Sequence, residues 1–357
     1  MTIPPWLLYG AYGYTGELVA RRAVANGERP ILAGRDAARL EPLARELGLE
    51  HRVVGLDDAV RLDDALRDVA AVAHCAGPFS RTAEPMVAAC LRTGTQYADI
   101  TGEIAVFEAN FALDDAARDA GVTLLSGAGF DVVPTDCLAA MVVAALPDAH
   151  LLELAFRSEG GFSRGTARSA LESLGSMSTA RTDGELGPVP RHRRHRTVDF
   201  AGDGRSTSTM AISWGDVSTA YRSTGVTDII VSTAMPRAAG IGSSVLGGVA
   251  RSPGVGRLTR SALTKAVARL SDPSPETRAR SRSQVWAHAT AADGRTATGR
   301  LSTPHSYDLT ADAVVRIARA LANGDVAPGA LTPSMALGAE FVATLDGVTV
   351  TPPVLAG

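Results

Sequence analysis

Lysine is almost missing from this chain. Lys265 is the single one in 357 residues, so nearly all the basic charge is arginine. Schiff-base chemistry requires a lysine desolvated in a pocket. Lys265 sits in SALTKAVARL, which reads as a solvated helix, so that mechanism is set aside. Cysteine is scarce as well: Cys75, Cys90 and Cys137 form no C-x-x-C pair and no spaced metal motif, and no metal site is expected. The odd, sparse count suits a reducing compartment. Charged residues make up 20% of the chain and the formal net charge is -3, without the basic excess of a nucleic-acid binder. The opening MTIPPWLLYG lacks a basic leader and is far too short to span a bilayer. The expectation is a cytoplasmic protein with no transmembrane span and no nucleic-acid partner. The most apolar tract, VSTAMPRAAGIGSSVLGGVA, is interrupted by Pro236 and Arg237. It reads as a buried or subunit-contact element, which leaves a homodimer open. The run Arg191–Arg196 reads as a solvated loop, too short and too poor in aromatics to form a stacking surface.

What is present is a rhythm. WLLYG, PILAGR, HRVVGL, VAAVAHCAG, TQYADIT and VTLLSGAG are apolar strand-length runs, and most alternate with segments of helical period. Such alternation with short links predicts a doubly wound, Rossmann-type parallel sheet over residues 1–148. The pattern then changes. HLLELAFRSEG, HRTVDF, TSTMAISWG, TDIIVSTAM and a hairpin turning at Asp293-Gly294 predict a second α+β domain over 149–305, with a mostly antiparallel sheet. Helical stretches fall near 165–174 and 257–270. DLTADAVVRIARALANG is a helix capped by Asp308 or Thr310 and ended by Gly324. Residues 306–357 are expected to return to the first domain or to the seam.

Gly10-Ala11-Tyr12-Gly13-Tyr14-Thr15-Gly16 lies between a predicted strand and a predicted helix, the context in which such a motif binds a dinucleotide. Gly10 makes the tight exit, Gly13 admits the pyrophosphate, and Gly16 lets the helix pack closely. The N–H groups at the helix start face the phosphates, with the Thr15 hydroxyl beside them. The second strand ends in Gly34 and Arg35, where an NAD site places an acid. Arg35 suits a 2′-phosphate, so NADP(H) is the expected cofactor; Asp36 complicates this, since it can also point inward. Cys75, Ala76, Gly77 and Pro78 end the fourth strand and border the cofactor in the same crevice.

On these residues the chain resembles the saccharopine dehydrogenase-like NADP-binding family. The matching stretches are GAYGYTGELVA, ILAGR, CAGPF, QYADITGE, GAGFDVVPTDCLA and, near the end, TPSMALGAEFV. The resemblance implies an NADP-binding Rossmann fold and oxidoreductase activity. In short length and in Arg- and Ala-rich character the chain is nearest to the family's actinobacterial trans-acting enoyl reductases. That branch implies NADPH-dependent reduction of a polyketide-derived double bond during lipid assembly. A saccharopine-type amino-acid reductase is the first alternative, and a non-catalytic NADP-binding sensor or assembly protein the second.

Candidate chemistry falls at the ends of the fifth and sixth strands. Tyr97 and Asp99 share a strand face with Thr101, Glu103 opens the next helix, and Asp131 follows the sixth strand. For Asp99 and Glu103 a purely structural role, accepting backbone N–H bonds, stands beside the catalytic one. Tyr97 is a candidate proton donor, as is water. The substrate is expected beside these four residues, against residues 149–305, in a mostly apolar crevice suited to a small, lipid-like or polyketide-derived molecule.

Overall fold

Short apolar runs flanked by helical segments pair in register to give the first sheet. In chain order the elements are β1 (Trp6–Tyr9), α1 (Tyr14–Ala25), β2 (Ile31–Gly34), α2 (Ala37–Leu47), β3 (His51–Val53), α3 (Ala59–Leu66), β4 (Ala71–His74), α4 (Phe79–Thr93), β5 (Gln96–Asp99), α5 (Ile104–Phe111), α6 (Asp114–Asp119), β6 (Thr123–Leu125) and α7 (Val133–Ala145). There follow β7 (Ala149–Ser158), β8 (Thr179–Thr182), β9 (Glu185–Pro188), β10 (His195–Val198), β11 (Thr207–Ala211), α8 (Asp216–Thr224), β12 (Asp228–Ala234), α9 (Pro275–Arg280), β13 (Ser283–Ala291) and β14 (Thr296–Thr303). The chain closes with α10 (Ser306–Asn323), β15 (Gly329–Leu331), α11 (Pro333–Leu337) and β16 (Thr349–Ala356). This computed structural model describes residues 4–161, 163, 178–235 and 271–357. The helices read near 165–174 and 257–270, Lys265, and the apolar tract from Pro236 onward lie outside the described residues.

The chain divides into two units, Met1–Cys137 with Ser306–Gly347, and Leu138–His305 with Val348–Gly357. The first holds seven parallel strands in the order β15-β6-β5-β4-β1-β2-β3. Six of them form the 3-2-1-4-5-6 arrangement of the Rossmann fold, and the order reverses between β1 and β4. β1, β2 and β4 are buried along their whole length, as parallel strands covered on both faces must be. Leu7, Tyr9, Val72, Tyr97 and Leu124 of the sheet pack with Leu62 and Leu66 of α3 and Met86, Val87 and Cys90 of α4. The Rossmann-type fold expected from the sequence is present, with β15 as an additional strand.

The second unit carries a mixed sheet of nine strands on the path β10-β11-β12-β7-β13-β14-β16, with the hairpin β8-β9 attached to β12. Its pairings are antiparallel except β12 with β7. Leu152, Leu154, Val285, Ala287 and Ala289 are buried. A β-carbon on Gly299 of β14 would lie 2.8 Å from Val142 and 2.9 Å from Leu138, so α7 packs directly on the strand there. The expected second domain with a mostly antiparallel sheet is thus present. Among the described residues no helix is long and apolar enough to cross a membrane, and no group of three or more His, Cys, Asp or Glu side chains is placed to hold a metal ion.

Three local expectations change. α10 begins at Ser306, ahead of both proposed caps, and Thr310 lies inside it. Its hydroxyl donates to the Ser306 carbonyl (2.8 Å) and accepts from the Phe130 N–H (2.9 Å). The segment of helical period that follows TQYADIT is not one helix: it is broken between Phe111 and Asp114 into α5 and α6. The arginine-histidine run is not simply a solvated loop: Arg196 belongs to β10 and is half-buried.

Helix α10 is tied to α1 by charge. Asp312, with a side chain only 3% exposed, accepts from Arg22 (2.8 Å), Arg316 (3.1 Å) and the Asp346 N–H (2.9 Å). Burial pushes its pKa up, but those hydrogen bonds outweigh burial and hold the carboxyl below its ordinary range. Asp312→Ala should therefore cost about 3 kcal/mol in urea denaturation at neutral pH, because two guanidinium groups lose a buried partner. The depressed pKa means that this contribution is present at neutral pH and lost as pH falls through the native value. A cost that stays constant down to strong acid would contradict the assignment.

Candidate functional site at the carboxyl ends of the parallel strands

The glycine turn is built by close backbone approach. Gly10 leaves β1 at φ +81°. A β-carbon there would lie 2.8 Å from the Ala76 β-carbon and 2.9 Å from its nitrogen, so the turns after β1 and β4 touch. A β-carbon on Gly16 would collide with the Gly10 carbonyl oxygen and come within 2.9 Å of Ala11 Cα. Only glycine lets α1 start so close to the turn. Gly13 is different, because its missing β-carbon would meet only the Gly10 oxygen, at 3.2 Å. It occupies the N-cap of α1, and no side chain caps the helix. The positive end of the helix is left for an anion.

The end of β2 fits against this turn. The Tyr12 ring occupies the space that a Gly34 side chain would need. The Arg39 guanidinium lies over that ring, 4.6 Å from its centroid, and donates to the Tyr12 carbonyl at 3.0 Å. Asp36 is turned into the N-cap of α2, accepting the Arg39 N–H at 3.3 Å, so its carboxylate serves the helix. Arg35 is exposed and makes no hydrogen bond or ion pair among the described residues. Thr15 stands in the first turn of α1, and the Tyr14 ring meets Tyr307 edge-on at 5.0 Å.

The loop after β4 carries Cys75, Ala76, Gly77 and Pro78, with a cis Gly77–Pro78 bond. The Cys75 N–H donates to the Tyr9 carbonyl at 2.8 Å, joining the ends of β4 and β1. Burial, with the Asp99 charge adding to it, pushes the Cys75 thiol up to about 12, so it is no thiolate at neutral pH. His74 is fully buried among Tyr9, Phe79 and Tyr97, and burial pushes its pKa down to about 3. It is a neutral packing residue whose Nε2 bonds to Thr82 (3.1 Å). The Thr82 hydroxyl in turn reaches the Ala76 carbonyl (2.7 Å) and fixes the loop.

The four candidate catalytic residues separate by environment. Tyr97 has no exposed surface, and its hydroxyl donates to Asp99 Oδ2 at 2.8 Å. Burial first, and then the Asp99 charge, push its pKa well above 10. Asp99 is 1% exposed and accepts four hydrogen bonds, from Tyr97, the Thr101 N–H (3.0 Å), the Gly127 N–H (3.0 Å) and the Ser126 hydroxyl (3.2 Å). Burial outweighs these donors and raises its pKa to about 6. Glu103 caps another helix: its carboxylate accepts the Phe79 and Ser80 N–H groups at 2.9 and 2.8 Å, at the start of α4. The sequence offers no local sign of that partnership across 24 residues. Asp131 remains partly exposed, and burial raises its pKa to about 7. Its Oδ2 lies 3.0 Å from where a Gly102 side chain would begin, so Gly102 makes room for it.

Residues 6–125 match the model of the saccharopine dehydrogenase NADP binding domain. A trans-acting enoyl reductase of Mycobacterium tuberculosis is 34% identical over 142 residues, covering 36% of this chain and 33% of that protein. A second protein of that organism, provisionally named a trans-acting enoyl reductase, is 36% identical over 188 residues, covering 48% of this chain and 44% of that one. The chain thus matches less than half the length of these relatives. Saccharopine dehydrogenase (L-Glu forming) from Saccharomyces cerevisiae superposes with a TM-score of 0.64 at 13% identity, over 99% of this chain and 100% of that one, a likeness of fold alone. Residues 6–125 of the first unit are thus similar to a saccharopine dehydrogenase NADP binding domain, with mycobacterial enoyl reductases among the chain's named relatives.

Asp99→Ala should cost about 3–5 kcal/mol in chemical denaturation, since four donors lose their acceptor in the core. Asp99→Asn should cost far less: the amide oxygen keeps both N–H bonds, and the two hydroxyls can turn to accept from its nitrogen. Equal losses for the two variants would show that negative charge, rather than the count of hydrogen bonds, holds these loops together.

Proposed function

We propose that the chain is an NADPH-dependent oxidoreductase acting on an unsaturated or carbonyl substrate, with reduction of an enoyl double bond as the leading reaction. The observation that carries the cofactor reading is the uncapped start of α1 at Gly13 beside an exposed Arg35. Both features suit the group. The space beside Gly13 and the free end of α1 fit a pyrophosphate. The Arg35 guanidinium, which makes no hydrogen bond or ion pair among the described residues, fits a ribose 2′-phosphate, and Asp36 is engaged elsewhere. When bound, NADPH supplies a hydride.

The chain's own residues have the remaining tasks. Gly10, Gly13 and Gly16 with Tyr14 and Thr15 hold the diphosphate, while Tyr12 and Gly34 set the wall of the adenosine side. Cys75, Ala76, Gly77 and Pro78 form the opposite rim. Of the four candidate catalytic residues, Asp131 is the one suited to carry a proton, because it is partly exposed and its pKa of about 7 leaves the carboxyl part protonated near neutrality. Tyr97, Asp99 and Glu103 act through position, holding the loops on which Asp131 and the cofactor rim depend. The names of the mycobacterial relatives support enoyl reduction, and an apolar, lipid-like or polyketide-derived substrate follows from that likeness.

Arg35→Ala should weaken NADPH binding by about 1.5–3 kcal/mol, roughly tenfold to a hundredfold, and leave NADH binding unchanged. Fluorescence titration measures both. Equal affinity of the unaltered protein for the two cofactors would refute the assignment. NADPH oxidation driven by an α,β-unsaturated acyl thioester should fall as pH rises through about 7, as Asp131 loses its proton. Asp131→Asn should lower the rate and remove that limb of the profile. An unchanged limb would assign the proton to another group or to water.

A further inference from the structure

The sheet of the second unit curls on itself. β10 stands four places from β13 in the strand order, yet the Arg196 guanidinium lies 5.1 Å from the ring centroid of Trp286 in β13. Val198 and Phe200 close over Ala155 and Trp286 as a small apolar cluster. Around it the register places Arg157, Gln284, Trp286, His288 and Arg300 on one face of β7, β13 and β14. The ring of His288 stacks on Trp286 (5.3 Å between centroids, 7° between planes), and its Nδ1 bonds to Thr298 Oγ1 at 2.8 Å.

The positive charge on this face exceeds what the carboxylates there engage. Arg196 is paired with Glu153. Arg157 gives its Nε to the Gln284 amide oxygen and lies over Phe200, 5.5 Å from the ring centroid. Arg300 gives its Nε to the Asp199 backbone carbonyl at 3.0 Å. The nearby Asp199 carboxylate accepts the N–H groups of Gly202 (2.7 Å) and Gly204 (2.9 Å), and these bonds, with a smaller share from the Arg300 charge, hold its pKa below the ordinary range. Arg157 and Arg300 are half-buried, and neither has an ion pair among the described residues. Both also lean on the Asp199–Gly202 turn, Arg157 through Phe200 and Arg300 through Asp199. Each therefore has its Nε bonded and its paired terminal nitrogens left over, the arrangement that favours bidentate capture of an oxyanion. His288 stays neutral there, held down to about 4 by burial and then by Arg196 and Arg300, so it competes for no anion with a charge of its own.

We propose that this curled face is an oxyanion-binding site, in which Arg157 and Arg300 grip a carboxylate or phosphate group of a ligand beside the Trp286–His288 stack. The site is separate from the glycine turn and from every residue assigned above to the cofactor or to the proton. It gives the second unit a binding role that its relatives' names do not supply.

Calorimetric titration with inorganic phosphate and, separately, with succinate, each in saturating NADPH so that the glycine turn is filled, tests the site and tells the two sources of the oxyanion apart. Saturable binding with a Kd of about 1 mM or tighter is expected for at least one of them. Arg157→Met and Arg300→Met, which keep the apolar stem and remove the fork, should each weaken it at least about tenfold. Arg205→Met, on a side chain that is 90% exposed, should leave it unchanged. The same anion should raise the thermal midpoint of the unaltered protein and not that of the two variants, which separates lost binding from damaged folding. Absence of saturable binding, or binding that survives both substitutions, would overturn the proposal; in the second case the anion sits elsewhere than on Arg157 and Arg300.

Discussion

A carboxylate withdrawn from water is tolerated only where donors replace the solvent, and the strand ends of the first unit are organised around one such group. Asp99 collects the Tyr97 hydroxyl, the N–H groups of Thr101 and Gly127, and the Ser126 hydroxyl. From it a continuous set of contacts runs to the glycine turn. The Thr101 hydroxyl accepts the Glu103 N–H, the Glu103 carboxylate holds the first turn of α4, Thr82 of that helix holds the Ala76 carbonyl, and Ala76 abuts Gly10. The loops after β1, β4, β5 and β6 therefore share one support. A change at Asp99 acts on the glycine turn without touching it.

The parts of this fold legible in the sequence are those governed by short-range rules. A strand covered on both faces must be apolar throughout, and a helix over it must repeat every three to four residues. WLLY, ILAG and AVAH satisfied the first condition and DAARLEPLAREL the second, which placed the glycine turn at the head of the first crossover. What escaped was held by distant partners or carried weak local marks. β15 is three residues long and is recognised only by pairing with β6, about two hundred positions earlier. β16 contains Pro352 and Pro353, which argue against a strand and are tolerated at the end of the sheet path. The β8-β9 hairpin did carry a signal, Asp183-Gly184 with both residues at positive φ, and this one was readable from composition alone.

The near-absence of lysine has a structural counterpart. Most ion pairs of the first unit use arginine as a bridge between elements: Arg22 joins α1 to both Asp312 and Asp346, and Arg92 joins α4 to Asp63 of α3 through two hydrogen bonds. A planar fork serves two acceptors in fixed directions, which an ammonium on a flexible stem does less well. The same property explains why Arg196 is half-buried where a run of basic residues suggested solvation. Its apolar plane covers Trp286 while its edge meets Glu153.

Residue type and strand position made Tyr97, Asp99, Glu103 and Asp131 candidates together, with a structural role open for Asp99 and Glu103. The structure separates them by burial and shows what two of them already hold. Asp99 is committed four times over and Glu103 twice, both to groups the fold cannot release without opening a loop or fraying α4. A group so committed has no geometry left for a substrate, whatever its pKa. The elevation at Asp99 is what remains of its burial after four hydrogen bonds have opposed it, whereas at Asp131 burial by itself is the cause. A perturbed carboxyl marks a reactive group only when something mobile can still reach it. By that criterion partial exposure, more than the size of the shift, is what distinguishes Asp131 from its buried neighbours.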